Sequence, residues 1–308
     1  MTSHLSTKTS AAGINVPGLP NPGPAADSGT TDFRADLTAM PAKLCSLPPL
    51  NSIASRVLAV SDDPDSDTRA LASVVESDPA FAAEVLFLAN SPLFGFPSKL
   101  HALPHAVAIL GVDRIKALVT TVAMRAFVGK GSPMIRQCWR HSTACAVIAE
   151  RISAAFQVPG DQAYAAALLH DVGRLGLLKS YPQQMSPVMG GEHVDLREVL
   201  FAERAAIKVD HQSAGGWLVT NWGLPQPFFV ACVHHHDSLR ETDSPLLQVV
   251  KTACRMADTL GFAAVACQST PAYTNLVADL PNSVKKDRLP AEEEFGRHVE
   301  ERLASLEN

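Results

Sequence analysis

The 308-residue chain has no long apolar run. Its most apolar stretches, among them Phe81–Ala89 and Leu103–Leu110, are interrupted by His, Glu, Asp or Pro well before the roughly 20 residues that a membrane-crossing helix requires. That excludes a membrane span. A basic tract is missing too: 26 Lys and Arg stand interspersed with 31 Asp and Glu, for a net charge of −5, so no field that would gather phosphates builds up and nucleic acid is not expected as a partner. None of the six cysteines (Cys45, Cys138, Cys145, Cys232, Cys254, Cys267) forms a CxxC pair, and most sit among Ala, Val and Ile as small apolar residues, which suits a reduced, cytoplasmic setting. The N-terminus carries neither a basic n-region nor an apolar h-region, so nothing points to secretion. Residues 1–32 are rich in Ser, Thr, Gly and Pro, offer little apolar surface to offset the entropy of ordering, and read as a disordered leader.

What the chain does have is helical periodicity. With 46% hydrophobic and 19% charged residues it can bury a sizeable core. Asp67 is placed to cap Thr68–Glu76, Asp78-Pro79 opens an apolar stretch with Pro in the first turn, Leu103-Pro104 opens another, and Gly111 punctuates before Val112–Phe127. These short helices describe an N-terminal helical lobe over residues 33–130, ending at Lys130-Gly131-Ser132-Pro133. A second helical lobe over 131–268 follows. Its helices read as Met134–Phe156, Gly160–Leu178, Val194–Val209, Asp210–Trp222, Pro225–His236 and Leu246–Leu260. Residues 262–290 are poorly periodic, within a final 269–308 segment that closes on a short charged helix. The fold class is all-α.

Chemistry concentrates in the second lobe. Of eleven histidines, His4, His101, His105 and His193 lie in or near breaks and His298 sits on the charged terminal helix, so these five read as surface or capping residues. The other six are His141, His170, His211 and the run His234-His235-His236, joined by Asp171, Asp237 and Asp258. In the stretch Ala165–Leu177 a His170-Asp171 pair interrupts an otherwise apolar helix. Burying an ionised Asp there is tolerable only beside a metal, a cation or strong hydrogen bonds, and the adjacent imidazole suits the same divalent ion. Taken alone, the pair fits equally a capping Asp and a satisfied core His. An antiparallel helix return brings His141 level with His170, and Asp258 ends a helix with an apolar face, so two imidazoles and two carboxylates can form a mixed N/O set. Such a set suits Fe, Mn, Zn, Ni or Co, as one or two ions; His211, His235 and His236 are candidates for a second ion or for substrate contact. The triple-His run by itself is equally a surface tract.

Several phrases resemble the HDOD domain, a relative of the HD phosphohydrolase superfamily. Leu47–Val60, Glu76–Leu100 and Leu103–Val119 match its first half; WRHS with His141, LLHDVGRLG with His170 and Asp171, the stretch from Asp210 with His211, VHHHD with His235 and His236, and MADTLG with Asp258 match its HD core. The resemblance implies an all-helical, two-lobe HDOD fold, a role in bacterial signal transduction as an output or regulatory module, and a retained HD metal site at His141, His170, Asp171, His211, His235, His236 and Asp258. It implies metal-dependent phosphohydrolase or phosphodiesterase activity on a phosphoester or nucleotide, with Asp171 and Arg174 as catalytic residues and Arg174 or Lys208 offering positive charge to phosphate. Compared with the HD-GYP enzymes, Arg174 replaces a Lys, Asp237 replaces a Glu and no GYP tripeptide follows, which weakens cyclic di-GMP as a substrate. The alternative is a non-catalytic scaffold that binds a signalling protein or ligand, with Phe94 and Phe96 as partner anchors unless they are core.

Overall fold

The computed structural model describes residues 40–59, 68–91 and 99–307. The leader, His4, Asp67, Phe94 and Phe96 lie outside the described residues. Among the described residues the protein is helical, apart from one isolated bridge between His193 and Cys267. No helix among them is long and apolar enough to cross a membrane.

The N-terminal lobe holds α1 (Ala42–Cys45), α2 (Ser52–Leu58), α3 (Thr68–Glu76), α4 (Pro79–Ala89) and α5 (Leu103–Val128). Its helix starts follow from local chemistry. Asn51 accepts from the Ile53 amide at the head of α2, and Asp78 accepts from the Ala80 and Phe81 amides with Pro79 at the first position of α4. Gly111, at φ +79°, kinks α5 where the sequence places a break; only glycine takes that backbone without strain. Past the kink, Ile115–Met124 is buried throughout, because α5 packs on α2, α3 and α4 and also on the second lobe.

That lobe comprises α6 (Pro133–Ile152), α7 (Gly160–Leu169), α8 (Val172–Ser180), α9 (Pro182–Met189), α10 (Leu196–Ile207), α11 (His211–Asn221), α12 (Gln226–His234), α13 (Pro245–Thr259), α14 (Tyr273–Ala278) and α15 (Glu292–Glu307). The central packing runs α6 on α7, α11 on α8 and α12, and α13 on α6. The lobes are joined by the α5–α7 contact, by Trp222 edge-on to Phe127 at 5.3 Å, and by Arg114 on α5, which donates to Glu150 and to Asp161.

The observed elements add to or differ from the expected ones in five places. The helix expected over Gly160–Leu178 is two: α7 stops at Leu169 and α8 starts at Val172, with His170 and Asp171 at the joint. His170 keeps right-handed helical angles (φ −55°, ψ −35°) and Asp171 leaves them (φ −107°, ψ 21°), so the helix breaks between the two and Asp171 reaches toward His211. Pro182 and Pro187 mask α9 from periodicity, and α14 forms within the poorly periodic stretch. His193 is buried rather than on the surface, donating from Nε2 to the Val188 carbonyl at 2.8 Å. The terminal helix α15 docks on α6 through buried Phe295, Val299 and Leu303, with Arg302 donating to Glu150 at 2.9 Å.

Candidate metal centre

Five imidazoles line up at the heart of the second lobe. His141 on α6, His170 at the end of α7, His211 at the head of α11, and His235 and His236 just past α12 stand ring to ring. Their centroids are 5.3 Å apart for His141–His170, 4.8 Å for His170–His235, 5.3 Å for His211–His235, 5.0 Å for His211–His236 and 4.0 Å for His235–His236. His234 turns away, exposed, and pairs with Asp237 at 2.8 Å.

The hydrogen bonds of these rings set which nitrogen faces inward. His141 Nδ1 lies 2.9 Å from the Phe262 carbonyl, His170 Nδ1 2.5 Å from that of Ala167, and His235 Nδ1 2.8 Å from that of Cys232. A carbonyl can only accept, so each Nδ1 carries the proton and each Nε2 presents its lone pair to the cluster. His211 Nδ1 lies 2.7 Å from Glu203 Oε2 and is fixed the same way by a carboxylate. Metal-ligating histidines have this arrangement, since an outer oxygen orients the ring and raises its basicity.

The acidic residues take different places. Asp171 Oδ2 accepts from Arg174 Nε at 2.8 Å, while Asp171 Oδ1 is buried without a hydrogen-bond partner, 3.7 Å from His211 Nε2. Arg174 also donates to Glu203 at 2.9 Å and lies 3.0 Å from His211 Nε2, so its three nitrogens are all engaged inside the protein. Burial opposes ionisation of Asp171, but the Arg174 guanidinium and the surrounding imidazoles outweigh it and hold the carboxyl down at about 2. Glu203 is likewise depressed despite its burial, by His211 and Arg174. Asp258 Oδ1 lies 3.7 Å from His141 on its Nδ1 side, and burial pushes that carboxyl up to about 7. Lys208 caps α10 in the left-handed region, exposed on the surface.

Two sets of donor atoms come within 4.8 Å of one another: His141, Cys145, His170 and Cys254, and separately His211, His235 and His236. His170 Nε2, Asp171 Oδ1 and His236 Nε2 are all buried with no hydrogen-bond partner. Each such atom costs about 1–3 kcal/mol, and a cation at either donor set would satisfy the orphaned ring nitrogen there. Charge argues the same way. Burial works against a proton on His141, yet Cys254, Asp258 and Asp171 outweigh it and raise that imidazole to about 9, so the pocket favours positive charge at this spot. Burial lowers His235 and His236, which keeps them neutral, the state in which imidazole binds a metal. The residues present therefore fit a divalent ion.

A cavity of about 390 Å³ opens onto His236 and Asp258, with Arg197, Arg255, Asp195 and Ser238 on its walls. Another, of about 320 Å³, is lined by Leu58, Lys116, Asp161 and Phe228 and holds none of the imidazoles. Cys145, Cys254 and Glu203 are site residues absent from the sequence-derived set. Their signals were present as spacing: Cys145 is four residues after His141, Cys254 four before Asp258, and Glu203 is a lone acid on the buried stripe of Val199, Leu200 and Ile207.

An all-helical, two-lobed protein with a buried imidazole cluster beside an HD pair is the class this architecture defines. The sequence pattern of the HDOD domain matches residues 47–238, and the chain belongs to that family. Among solved structures it is similar to an HDOD domain protein of unknown function from Geobacter sulfurreducens, at 22% identity and TM-score 0.69, covering 89% of this chain and 96% of that one. It is similar to a protein of Shewanella amazonensis SB2B provisionally named a metal-dependent phosphohydrolase, at 20% identity and TM-score 0.55 over 88% of this chain and 98% of that one. A third, from Marinobacter aquaeolei VT8, is provisionally named a signal transduction protein: 20% identity and TM-score 0.65, over 88% of this chain and 64% of that one. At these identities the likeness is one of fold. A curated relative, an uncharacterised protein of Treponema pallidum (strain Nichols), is 24% identical over 223 residues, which is 67% of this chain and 41% of the relative's length.

Proposed function

We propose that this HDOD protein is a signal-transduction regulator whose C-terminal lobe binds a divalent transition metal and receives a phosphorylated ligand, a phosphoester or nucleotide, in the cavity beside it. One observation carries the reading: four buried imidazoles each give Nδ1–H to an oxygen, and two ring nitrogens of the cluster, His170 Nε2 and His236 Nε2, are buried with no hydrogen-bond partner, which suits a bound cation. His141 and His170 would hold an ion, with His211, His235 and His236 as donors for a second. A divalent ion there supplies Lewis acidity toward a phosphoryl oxygen and a water acidic enough to act at neutral pH. Arg197 and Arg255 on the cavity wall offer positive charge to a phosphate, and Arg174 holds Asp171 in place rather than reaching the cavity.

Phosphoester hydrolysis is the second reading, favoured by the cavity's contact with His236 and Asp258. Metal analysis of tag-free protein beside His170→Ala, followed by ligand-induced thermal shifts with nucleotides and cyclic dinucleotides on the loaded protein, tests both. Stoichiometric metal in the wild type that is lost in the variant, with a shift for a phosphorylated ligand, supports the proposal. Release of product that depends on metal and on His170 adds the hydrolytic step. Metal-free protein that ignores every phosphorylated ligand sinks it.

A further inference from the structure

The HD pair and its distant carboxylate suggest an ion held by imidazoles and carboxylates, but the donors that converge on His141 and His170 are sulfurs. His141 Nε2, the nitrogen left free by the bond to Phe262, lies 3.5 Å from Cys145 Sγ and 3.8 Å from Cys254 Sγ. His170 Nε2, buried and without a hydrogen-bond partner, belongs to the same set, all within 4.8 Å. The carboxylates lie to the side of that set: Asp171 Oδ2 is taken by Arg174 and its free Oδ1 lies 3.7 Å from His211 Nε2, while Asp258 Oδ1 lies 3.7 Å from the Nδ1 of His141, the nitrogen that is bonded to Phe262. Two of the other thiols have ordinary occupations. Cys232 donates to the Leu169 carbonyl at 3.3 Å and Cys45 to that of Met40 at 3.7 Å, whereas Cys145 and Cys254 face imidazole nitrogens.

We infer that the ion at His141 and His170 is bound by an N₂S₂ set completed by the Cys145 and Cys254 thiolates, and that this site takes a thiophilic ion of the zinc type. The inference rests on the reading that the C-terminal lobe binds a metal, and deepens it. Two thiolates and two imidazoles are the donor set of closed, four-coordinate zinc sites, and they discriminate against Mg²⁺, Ca²⁺ and Mn²⁺, which take oxygen. All four side chains are buried, and the cavity opens at His236 and Asp258 instead. The ion therefore staples the consecutive helices α6 and α7 to α13, which lies far along the chain, and ligand chemistry is left to the His211–His235–His236 side.

The test uses the full chain, stripped with chelator and reloaded with Co²⁺ or Zn²⁺. The Co²⁺ protein shows a near-ultraviolet thiolate-to-metal charge-transfer band. It loses about half its intensity in Cys145→Ser and in Cys254→Ser, and keeps it in Cys45→Ser and Asp258→Asn. Zinc affinity of each serine variant at the set falls by at least the roughly tenfold that even an outer-shell partner is worth. X-ray absorption of the wild-type Zn²⁺ protein needs no variant and resolves sulfur at about 2.3 Å beside nitrogen at about 2.0–2.1 Å. Metal bound with nitrogen and oxygen scattering alone, and no charge-transfer band, overturns the N₂S₂ set while the metal-binding reading survives. Protein that binds neither ion overturns both.

Discussion

Replacing Arg174 with Met should be among the most damaging single changes in the second lobe, and it should add a gain of stability on acidification between pH 7 and 5 beyond that of the wild type. Arg174 is 2% exposed and its partners Asp171 and Glu203 are 1% and 0% exposed. Removing it leaves two buried carboxylates without their cation, and breaking such a pair costs about 3–5 kcal/mol. Against the 5–15 kcal/mol of a typical domain, that is a large fraction. In the wild type the Asp171 carboxyl sits at about 2 rather than 3.8, corresponding to about 2 kcal/mol that is present above the unfolded value and lost as pH falls toward 2. Without Arg174, Asp171 loses the largest of the influences that hold it down and burial raises its folded carboxyl above the unfolded value, while Glu203 keeps its bonds from His211. The folded state then binds more protons than the unfolded one, so stability increases as pH falls from 7 to 5. Urea unfolding in chelator, followed by far-ultraviolet circular dichroism at pH 5, 6 and 7, reads both effects. A loss under about 1 kcal/mol, or the same pH slope in variant and wild type, refutes the account of the buried triad.

Three further outcomes follow from the packing. Gly173→Ala puts a Cβ 2.0 Å from the His211 carbonyl oxygen and 2.4 Å from the Gly215 nitrogen, backbone atoms that cannot yield; α8 and α11 must separate, and soluble yield and melting temperature should fall by more than a typical overpacked site, about 1–3 kcal/mol. Lys251→Met removes the Nζ that is bound to Asp243 at 2.8 Å and to the Ser238 carbonyl at 3.1 Å, loosening the segment after His235 and His236; faster amide exchange over residues 236–244 is the expected signature, and unchanged exchange contradicts it. Stripping the metal should lower the melting temperature of the whole protein, reversibly, with about 2.7 kcal/mol recovered at free metal a hundredfold above Kd; a melt indifferent to metal argues against an ion in the core.

Much of the second lobe was legible from local pattern. Helix positions followed there, as in the first lobe, from apolar spacing and from Asp and Pro at helix starts, because both signals act within a turn or two of chain. The imidazoles were legible as a group because His170-Asp171 interrupts an apolar helix and the remaining histidines share its lobe. The sulfurs were not. A cysteine among Ala and Val looks the same in sequence whether its thiol meets a methyl group or an imidazole, and Cys145 was indistinguishable from Cys138 until α13 was laid against α6. The family resemblance makes Arg174 a phosphate contact, yet its guanidinium is consumed by Asp171, by Glu203, 29 residues away in the chain, and by His211.

The sequence by itself determined the helical class, the HDOD phrases, the capping and punctuation of most helices, and the set of imidazoles and carboxylates available for chemistry. Only the tertiary structure decided which nitrogen of each ring faces inward, which carboxylate is held by a cation, and which thiols join the cluster. The division has a physical origin: helix periodicity and capping are properties of neighbouring residues, whereas a metal site depends on rotations and crossings of distant helices good to a fraction of an ångström. Those are set by close approaches of distant helices, such as the backbone of Gly173 against that of Gly215, which no local pattern encodes.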